Sequence, residues 1–308
     1  MGNIITIIVT HNGSRWIYNC INSILNSNLK IDIICIDNFS TDDTVDVIKS
    51  NFSDIIIIEN NENLGFGQAN NIGLRYAIKN YYDYIFLLNQ DAYVENDTIY
   101  KLVQASKNNL EFGILSPIHL NGEGNRLDLN FSNYISEYKC GSFISDFILA
   151  KLRKEVYDLP FVNAAAWLLP LNTIKTIGGF DPLFFHYGED DNYCQRVLYH
   201  GLKIGIVPDT YVFHDRSQLV KKIDRYENLV VFEKSFKVKC ANVNESFQKN
   251  ISWEIKEIKK KFFISFLSFN IFGFLKWFKF YSHVKSIIPH TEKSRKINEK
   301  IGSNYLNG

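Results

Sequence analysis

The chain has 308 residues, of which 46% are hydrophobic and 22% charged, and its 34 Lys and Arg against 33 Asp and Glu give a net charge of +1. This composition is typical of a globular protein with a sizeable core, and the balanced charge leaves no basic excess for a nucleic-acid partner. The five cysteines are scattered without a CxxC pair. The sequence therefore predicts free thiols in a reducing cytoplasm, not a zinc site or a disulfide framework.

The first ninety residues alternate strand and helix patterns. Apolar, β-branched runs predict strands buried on both faces, at 3–10, 31–37, 54–60 and 82–90. Stretches with helical spacing of apolar residues lie between them, at 14–28, 41–50 and 68–80. Strands separated by helices indicate a parallel sheet with right-handed crossovers, so we expect an α/β fold.

Polar residues follow all four predicted strands. They are Thr10-His11-Asn12, Asp37-Asn38, the stretch 63–67 and Asn89-Gln90-Asp91. Each group taken alone is typical of a cap or a turn. Because ligands of α/β sheets bind outside the carboxyl ends of the strands, the four together predict a nucleotide-binding crevice.

The middle of the chain is less regular. Residues 120–129 predict a turn or hairpin, 161–171 a strand, and 203–215 a strand that ends at His214. Between the last two lies the densest cluster of functional side chains, GGFDPLFFHYGEDDNYCQRVLYHG at 178–201. It places three carboxylates in a row at the start of a predicted helix.

Residues 251–285 combine aromatic residues with basic flanks at helical spacing. This pattern predicts two helices that either lie in a membrane interface or pack on the domain or on a second subunit. The longest uncharged apolar run late in the chain, at 262–275, has 14 residues against the roughly 20 that span a bilayer. The N-terminal MGNIITIIVTHN reads as a strand, not as a signal peptide.

Six of these blocks, in this order and spacing, resemble the family 2 inverting glycosyltransferases of the GT-A fold, in their rhamnosyltransferase-like bacterial branch. They are VTHN (9–12), DNFSTDDT (37–44), NENLGFGQANNIGL (61–74), LLNQDAYV (87–94), GGFDPLFFHYGEDDNYCQR (178–196) and VFH (212–214). The resemblance implies a nucleotide-diphospho-sugar transferase fold with a mostly parallel central sheet flanked by helices. Its catalytic domain would span 1–215, with a nucleotide half at about 1–110 and an acceptor half at about 111–215. A helical C-terminal region would span 216–308.

The resemblance also implies a donor site. Its residues are Thr10, His11, Asn12, Asp37, Asn38, Gly65, Gly67, Asn71 and Asn89. Asp37 would accept from the imide N–H of uracil or thymine. The two glycines would let the backbone approach the base and the ribose, where a Cβ would obstruct it.

A divalent cation, Mg²⁺ or Mn²⁺, is expected beside the donor, because it eases departure of a negatively charged diphosphate. By resemblance, Asp91 and His214 hold it, and Mn²⁺ accepts imidazole as well as oxygen ligands. The family's usual Asp-x-Asp triplet reads Asn89-Gln90-Asp91 here, with one carboxylate fewer.

Inversion needs a base opposite the leaving group, and Asp190 matches that position. Asp191 is the rival base, and Glu189 would orient the acceptor. The dipole of the helix would keep such a carboxylate ionised. Trp167 and His186 lie where the family meets its acceptor.

The expected activity is transfer of a sugar, from dTDP-rhamnose or a UDP-hexose, to a lipid-linked glycan in O-antigen or capsule synthesis. The protein would work in the cytoplasm or at the inner face of the plasma membrane, and a homodimer stays open. A nucleotidyltransferase is a weaker alternative, since HNGSRW lacks a Gly-rich triphosphate loop. An inactive nucleotide-sugar-binding protein would lack a base or a metal ligand, and both are present in this chain.

Overall fold

The computed structural model describes residues 2–216 and 224–307, and the strands in these ranges form one nine-stranded sheet. They are β1 Ile4–Thr10, β2 Asp32–Asp37, β3 Ile56–Glu59, β4 Tyr84–Asn89, β5 Ala92–Val94, β6 Phe112–Asn121, β7 Tyr157–Asp158, β8 Ala166–Pro170 and β9 Lys203–His214. Their order is β3-β2-β1-β4-β8-β6-β9-β5, and β7 pairs with β9.

Helices cover both faces of the sheet and form the C-terminal region. They are α1 Ile17–Leu25, α2 Thr44–Asn51, α3 Phe66–Lys79, α4 Thr98–Asn108, α5 Leu129–Tyr134, α6 Glu137–Cys140, α7 Phe143–Ile148, α8 Leu171–Ile177, α9 Glu189–Tyr199, α10 Leu229–Cys240, α11 Phe247–Leu267 and α12 Ile271–Asn298. The α/β class and the helical C-terminal region are therefore confirmed.

The N-terminal half of the sheet is parallel, as the sequence predicts. β1 pairs in parallel with β2 and β4, and β2 pairs in parallel with β3. The register sets Thr10 beside Asp37 and Val9 beside Asn89. The polar residues that follow these strands therefore emerge at one level on one edge of the sheet.

The other half of the sheet is mixed. β8 runs antiparallel to β4 and to β6, whereas β6 and β9 are parallel. The three-residue β5, too short for a sequence pattern to reveal, pairs antiparallel with β9 and sets Ala92 opposite His214. This pairing brings Asp91, which precedes β5, next to the end of β9.

The central strands are buried on both faces because side chains alternate across a sheet. In β1, Ile5 and Ile7 belong to a cluster with α3, α8 and α9, whereas Ile4 and Ile8 belong to a second cluster with α1, α2 and α4. Continuous apolar runs, not alternating ones, are what such a two-faced core requires.

Helices α10 to α12 enclose a third core cluster that includes Phe232, Phe236 and Val284. The end of α12 docks on the sheet domain, where Ser294 and Asn298 both donate to Asp181 Oδ2. Of the predicted region 216–308, residues 217–223 and 308 lie outside the described residues. None of the helices in the described ranges combines the length and apolar character needed to cross a membrane.

Candidate active site

A cleft of about 520 Å³ opens at the carboxyl ends of β1 and β4. Its walls include His11, Asn38, Asn63, Gly65, Phe66, Asn89, Gln90, Asp91, Phe185, His186, Tyr187, His214 and Arg216. The crevice predicted from the polar strand ends is thus present. Side chains from six separate sequence blocks meet in it.

Asp37 organises the loops after β1 and β2. Its Oδ1 accepts from the hydroxyls of Thr10 at 2.9 Å and Ser40 at 2.6 Å, and its Oδ2 accepts from the Ser40 backbone N–H at 3.0 Å. Thr10 was expected to line the nucleotide pocket. It is instead fully buried, so it acts by holding the Asp37 carboxylate.

Asn38 connects the first three polar strand ends. Its amide nitrogen donates to Asn63 Oδ1 at 2.8 Å, its side-chain oxygen accepts from the Leu64 backbone at 2.9 Å, and its carbonyl oxygen lies 3.1 Å from His11 Nδ1. Asn12 is exposed, and its side-chain oxygen accepts from the Thr41 backbone at 2.8 Å. These bonds connect the loops that follow β1, β2 and β3.

The steric roles predicted for the glycines need correction. Gly65 has φ +78°, and a Cβ there would lie 1.9 Å from the Phe185 carbonyl oxygen. A Cβ on Gly67 would lie 2.8 Å from Phe180 Cβ. Close approach by the segment 180–185 of the same chain, and not only by a ligand, therefore requires glycine at both positions.

Asn71 is also corrected. It is fully buried, its Nδ2 donates to the Phe180 carbonyl at 2.8 Å, and its Oδ1 accepts from the Phe180 N–H at 2.7 Å. Asn71 therefore fastens the 178–180 turn to α3 from a fully buried position. These two hydrogen bonds therefore also hold the start of the segment that leads to the three acids at the beginning of α9.

Asp91 and His214 face each other in the cleft. Asp91 Oδ1 lies 3.3 Å from His214 Nε2, and His214 is almost fully buried. His214 Nδ1 lies 3.9 Å from Asp128 Oδ2. Asp128 in turn binds Arg216, with Oδ2 2.9 Å from Nε and Oδ1 2.6 Å from Nη2.

The pair fits a divalent cation that shares its coordination with a ligand. No group of three or more His, Cys, Asp and Glu arranged to hold a metal occurs in the described part of the chain. One carboxylate and one imidazole suit Mn²⁺ or Mg²⁺ when phosphate oxygens and waters complete the shell. Asn89 Oδ1 is buried in the same wall, and no donor to it occurs among the described residues.

The three acids predicted to supply the base begin α9. The helix starts after Gly188, which has φ +96°, and Asp190 Oδ1 accepts from the Asp191 backbone N–H at 2.9 Å. Burial raises the pKa of Glu189 to about 7 and that of Asp191 to about 7, and it also raises the pKa of Asp190. Desolvation therefore outweighs the effect expected of the helix dipole, which favours the ionised form of a carboxylate at this position.

A lysine from the C-terminal region faces this cluster. Lys234 on α10 lies with Nζ 4.6 Å from the centre of the Tyr187 ring, and its charge lowers the pKa of each of the three acids. α10 packs so closely here that a Cβ on Gly188 would lie 2.8 Å from Val238 Cγ2. Sequence reasoning missed Lys234 because its position, more than 40 residues away in the chain, carries no motif.

Aromatic side chains form the opposite wall. Phe185, His186 and Tyr187 are exposed and border the cleft, so His186 stays a candidate acceptor contact. Trp167 does not: it is 0% exposed and stacks on Phe180 in the core, which rules out the predicted acceptor contact.

Arg196 has a structural role. It is buried, and its guanidinium donates to the carbonyls of Ile177 and Gly179. It therefore supports the turn that precedes α9.

Comparison with known proteins agrees with this geometry. Residues 5–155 match Glycosyl transferase family 2. Two bacterial relatives carry the likeness further along the chain. Rhamnosyltransferase WbbL of Escherichia coli (strain K12) is 26% identical over 194 residues, 56% of this chain and 66% of that protein. dTDP-rhamnosyl transferase RfbF of Shigella flexneri is 23% identical over 216 residues, 69% of both chains.

Residues 5–155, just under half of the chain, are thus similar to glycosyl transferase family 2. The chain's relatives indicate the rhamnosyltransferase-like branch, and the alignments span about two thirds of the length of each of these two relatives. Among solved structures, GalNAc-T7 with UDP, GalNAc and Mn²⁺ has a TM-score of 0.63 at 15% identity. That likeness covers 99% of this chain and 56% of the other, and it confirms the GT-A-like fold.

Three residues of this site were not predicted from the sequence. Asp128 lies at the start of α5, Arg216 directly follows β9, and Lys234 is on α10. A basic residue just after His214 is the one signal that could have been noticed, since it lies at the end of a strand that reaches the cleft.

Proposed function

We propose that this protein transfers a sugar from a nucleoside-diphosphate donor to a hydroxyl of a glycan acceptor, with inversion at the anomeric carbon. The observation that carries the proposal is the Asp91–His214 pair in the cleft, bordered by the polar loops after β1 and β2. This arrangement supplies oxygen and nitrogen ligands beside a surface rich in hydrogen-bonding groups, as a nucleoside diphosphate requires.

The nucleoside would lie on the loops fixed by Asp37 and Asn38. An ionised carboxylate has about four lone-pair sites, so Asp37 can accept a further bond from a pyrimidine imide in addition to those from Thr10 and Ser40. The ribose and phosphates would then extend past Asn89 towards Asp91.

Asp91 and His214 would hold Mg²⁺ or Mn²⁺, which, when bound, stabilises the negative charge of the departing diphosphate as a Lewis acid. Arg216, anchored by Asp128, adds a positive charge to the same wall. Asn89, which replaces the first acid of the usual triplet, offers an amide for the donor.

Asp190 would take the proton of the attacking hydroxyl. A base works best when its pKa lies near the working pH, and burial moves the pKa of this cluster in that direction. Asp191 is the rival base, and Glu189, buried at the start of α9, would orient the acceptor.

The donor we propose first is dTDP-rhamnose, because two relatives are named for rhamnosyl transfer, with UDP-hexoses as the second choice. The acceptor would be a lipid-linked or free oligosaccharide of a surface polysaccharide such as O-antigen or capsule. A homodimer is compatible with this proposal but is not part of it.

Calorimetric titration of the purified protein with dTDP-rhamnose, UDP-glucose, UDP-galactose, UDP-GlcNAc and ATP tests the donor class. We expect saturable binding of one of the sugar nucleotides in Mn²⁺ and a large loss of affinity in chelator. Tighter binding of ATP than of every sugar nucleotide would favour a nucleotidyltransferase. Donor binding without any transfer or hydrolysis would favour an inactive binding protein.

A further inference from the structure

The turn between α11 and α12 exposes an uncharged apolar surface. We define the hairpin tip as residues 262–275, FFISFLSFNIFGFL. Phe269 at the turn is 95% exposed and Phe272 is 83% exposed. The other exposed apolar side chains of the tip are Phe263, Ile264, Phe266, Leu267, Ile271 and Leu275. Monomeric soluble proteins rarely display a contiguous surface of this kind unless it binds something.

The tip is ordered. The rings of Phe262 and Phe274 pack across the two helices with centroids 4.2 Å apart, and Asn270 caps α12 by accepting from the Gly273 N–H at 2.9 Å. Phe269 has φ +53°, a left-handed conformation that a residue with a Cβ rarely adopts. The turn thus holds an aromatic ring out into solvent at the end of a fixed hairpin.

A belt of lysines and amphipathic aromatic residues follows the tip on both helices. Lys261 Nζ and Lys276 Nζ lie 5.2 Å and 5.3 Å from the Trp277 ring centre, and Lys285 Nζ lies 5.7 Å from that of Tyr281. The span 258–291 contains six lysines and no Asp or Glu, in a chain whose net charge is +1. The positive charge is therefore concentrated next to the apolar tip.

The spacing between tip and belt matches a membrane interface. Lys276 lies five positions after Ile271, the first residue of α12, which corresponds to roughly 8 Å along the helix. Interfacial helices bury their apolar side about 5–10 Å into the headgroup region, with Trp, Tyr and Lys at the level of the headgroups. Since no described helix is suited to cross a bilayer, the tip would enter one leaflet only.

We propose that the hairpin tip inserts into the surface of a membrane that contains anionic lipid, with the lysine belt against the headgroups. Anionic lipid is favoured over a second copy of the chain because two tips brought together would oppose two lysine belts. The inference concerns binding to a bilayer and stands independently of the proposed donor chemistry.

The test is co-sedimentation of the full-length protein with phosphatidylcholine vesicles, either alone or with roughly 30% phosphatidylglycerol, at about 0.1 M salt. We expect the wild type to bind the anionic vesicles. The double variant Phe269→Ser/Phe272→Ser should lose at least about tenfold in partitioning, because two exposed rings no longer leave water. Leu110→Ser/Ile301→Ser, which removes two exposed apolar side chains elsewhere, is the matched control and should bind as wild type.

Two further measurements complete the test. Lys260→Gln/Lys279→Gln should weaken binding to anionic vesicles more than binding to neutral ones, and circular dichroism should show every variant folded. Wild-type protein that does not bind anionic vesicles would overturn the proposal. The proposal would also be overturned if Phe269→Ser/Phe272→Ser bound anionic vesicles as well as the wild type does. It would likewise be overturned if the wild type formed a dimer that bound no vesicles and that this variant dissociated. These variants should still bind the sugar-nucleotide donor in buffer without vesicles. This measurement separates failure of the membrane proposal from failure of the proposed function.

Discussion

Asp91 and His214 lie 3.3 Å apart, Oδ1 to Nε2, although 123 positions separate them in the chain (214 − 91). Their approach depends on β5, whose Ala92 pairs with His214 in the sheet. The candidate metal ligands are therefore placed by backbone pairing, which positions them more firmly than loops would.

Replacement of either member of this pair should abolish metal-dependent turnover. For Asp91→Asn and His214→Gln we expect a loss of about 10²-fold or more, because the departing diphosphate loses its Lewis acid. Titration of Mn²⁺ followed by electron paramagnetic resonance gives a readout that does not depend on activity. Unchanged Mn²⁺ affinity in both variants would show that the cation, if used, binds elsewhere.

Asp190→Asn should lower transfer by about 10³-fold with little effect on donor affinity, since the amide keeps the shape but cannot accept the proton. Asp191→Asn is the matched neighbour and should be affected less. Steady-state kinetics with calorimetric donor Kd measures both effects. The base assignment is wrong if Asp190→Asn retains the wild-type rate while Asp191→Asn does not.

The pH profile of transfer should fall on its acid side at a pH above the ordinary carboxyl range near 4. Burial raises the pKa values of Glu189 and Asp191 to about 7, and that of Asp190 is raised as well. A base acts when deprotonated, so activity should rise with pH through this range and level off above it. Carboxyl groups in model peptides are already ionised between pH 5 and pH 8. A kcat/KM that stays constant over this range would therefore contradict the prediction.

Lys234 provides an internal check on that profile. Because its charge lowers the pKa of all three acids, Lys234→Met should move the midpoint to higher pH. Lys237→Met removes a lysine one helical turn along that is paired with Glu233, and it should leave the midpoint in place. Equal shifts in both variants would indicate a general charge effect.

Asn71→Ala should destabilise the fold without removing the donor site. It leaves the buried N–H of Phe180 without its side-chain partner and leaves the Phe180 carbonyl with only the longer bond from Gln68 Nε2 at 3.3 Å, at a cost of about 1–3 kcal/mol in the free energy of unfolding. Urea unfolding measures this cost, and Asn80→Ala, at the exposed C-terminal cap of the same helix, should change stability by less than about 0.5 kcal/mol. If Asn71→Ala lost donor affinity while its free energy of unfolding stayed unchanged, Asn71 would belong to the donor site.

The sequence predicted the parallel half of the sheet because long apolar runs, buried on both faces, are unambiguous. It also predicted which segments meet at the cleft, since the strand ends of a parallel sheet share one edge. It could not predict β5, which has three residues, or the approach of Asp128 and Lys234, because those contacts join distant segments through tertiary packing.

Motif residues were harder to assign than motif positions. Asn71 and Trp167 occur in or beside the expected blocks, yet both are buried and hold other parts of the site in place. A motif shows which residue type is required at a position. Whether a ligand or the fold requires it depends on whether the side chain is buried. The upward shift in the pKa of Asp190 was not predicted for a similar reason, because the sequence reveals the helix start but not the desolvation around it.

The central claim, transfer of a sugar from a nucleoside diphosphate, is tested most directly by the nucleotide that the protein releases. Purified protein would be incubated with dTDP-rhamnose or the UDP-sugars, Mn²⁺ and an oligosaccharide acceptor, and the nucleotide products separated by ion-exchange chromatography. We predict release of the nucleoside diphosphate by the wild type, with loss in chelator and in Asp91→Asn. Release of a nucleoside monophosphate, or no release from any of these donors, would contradict the account.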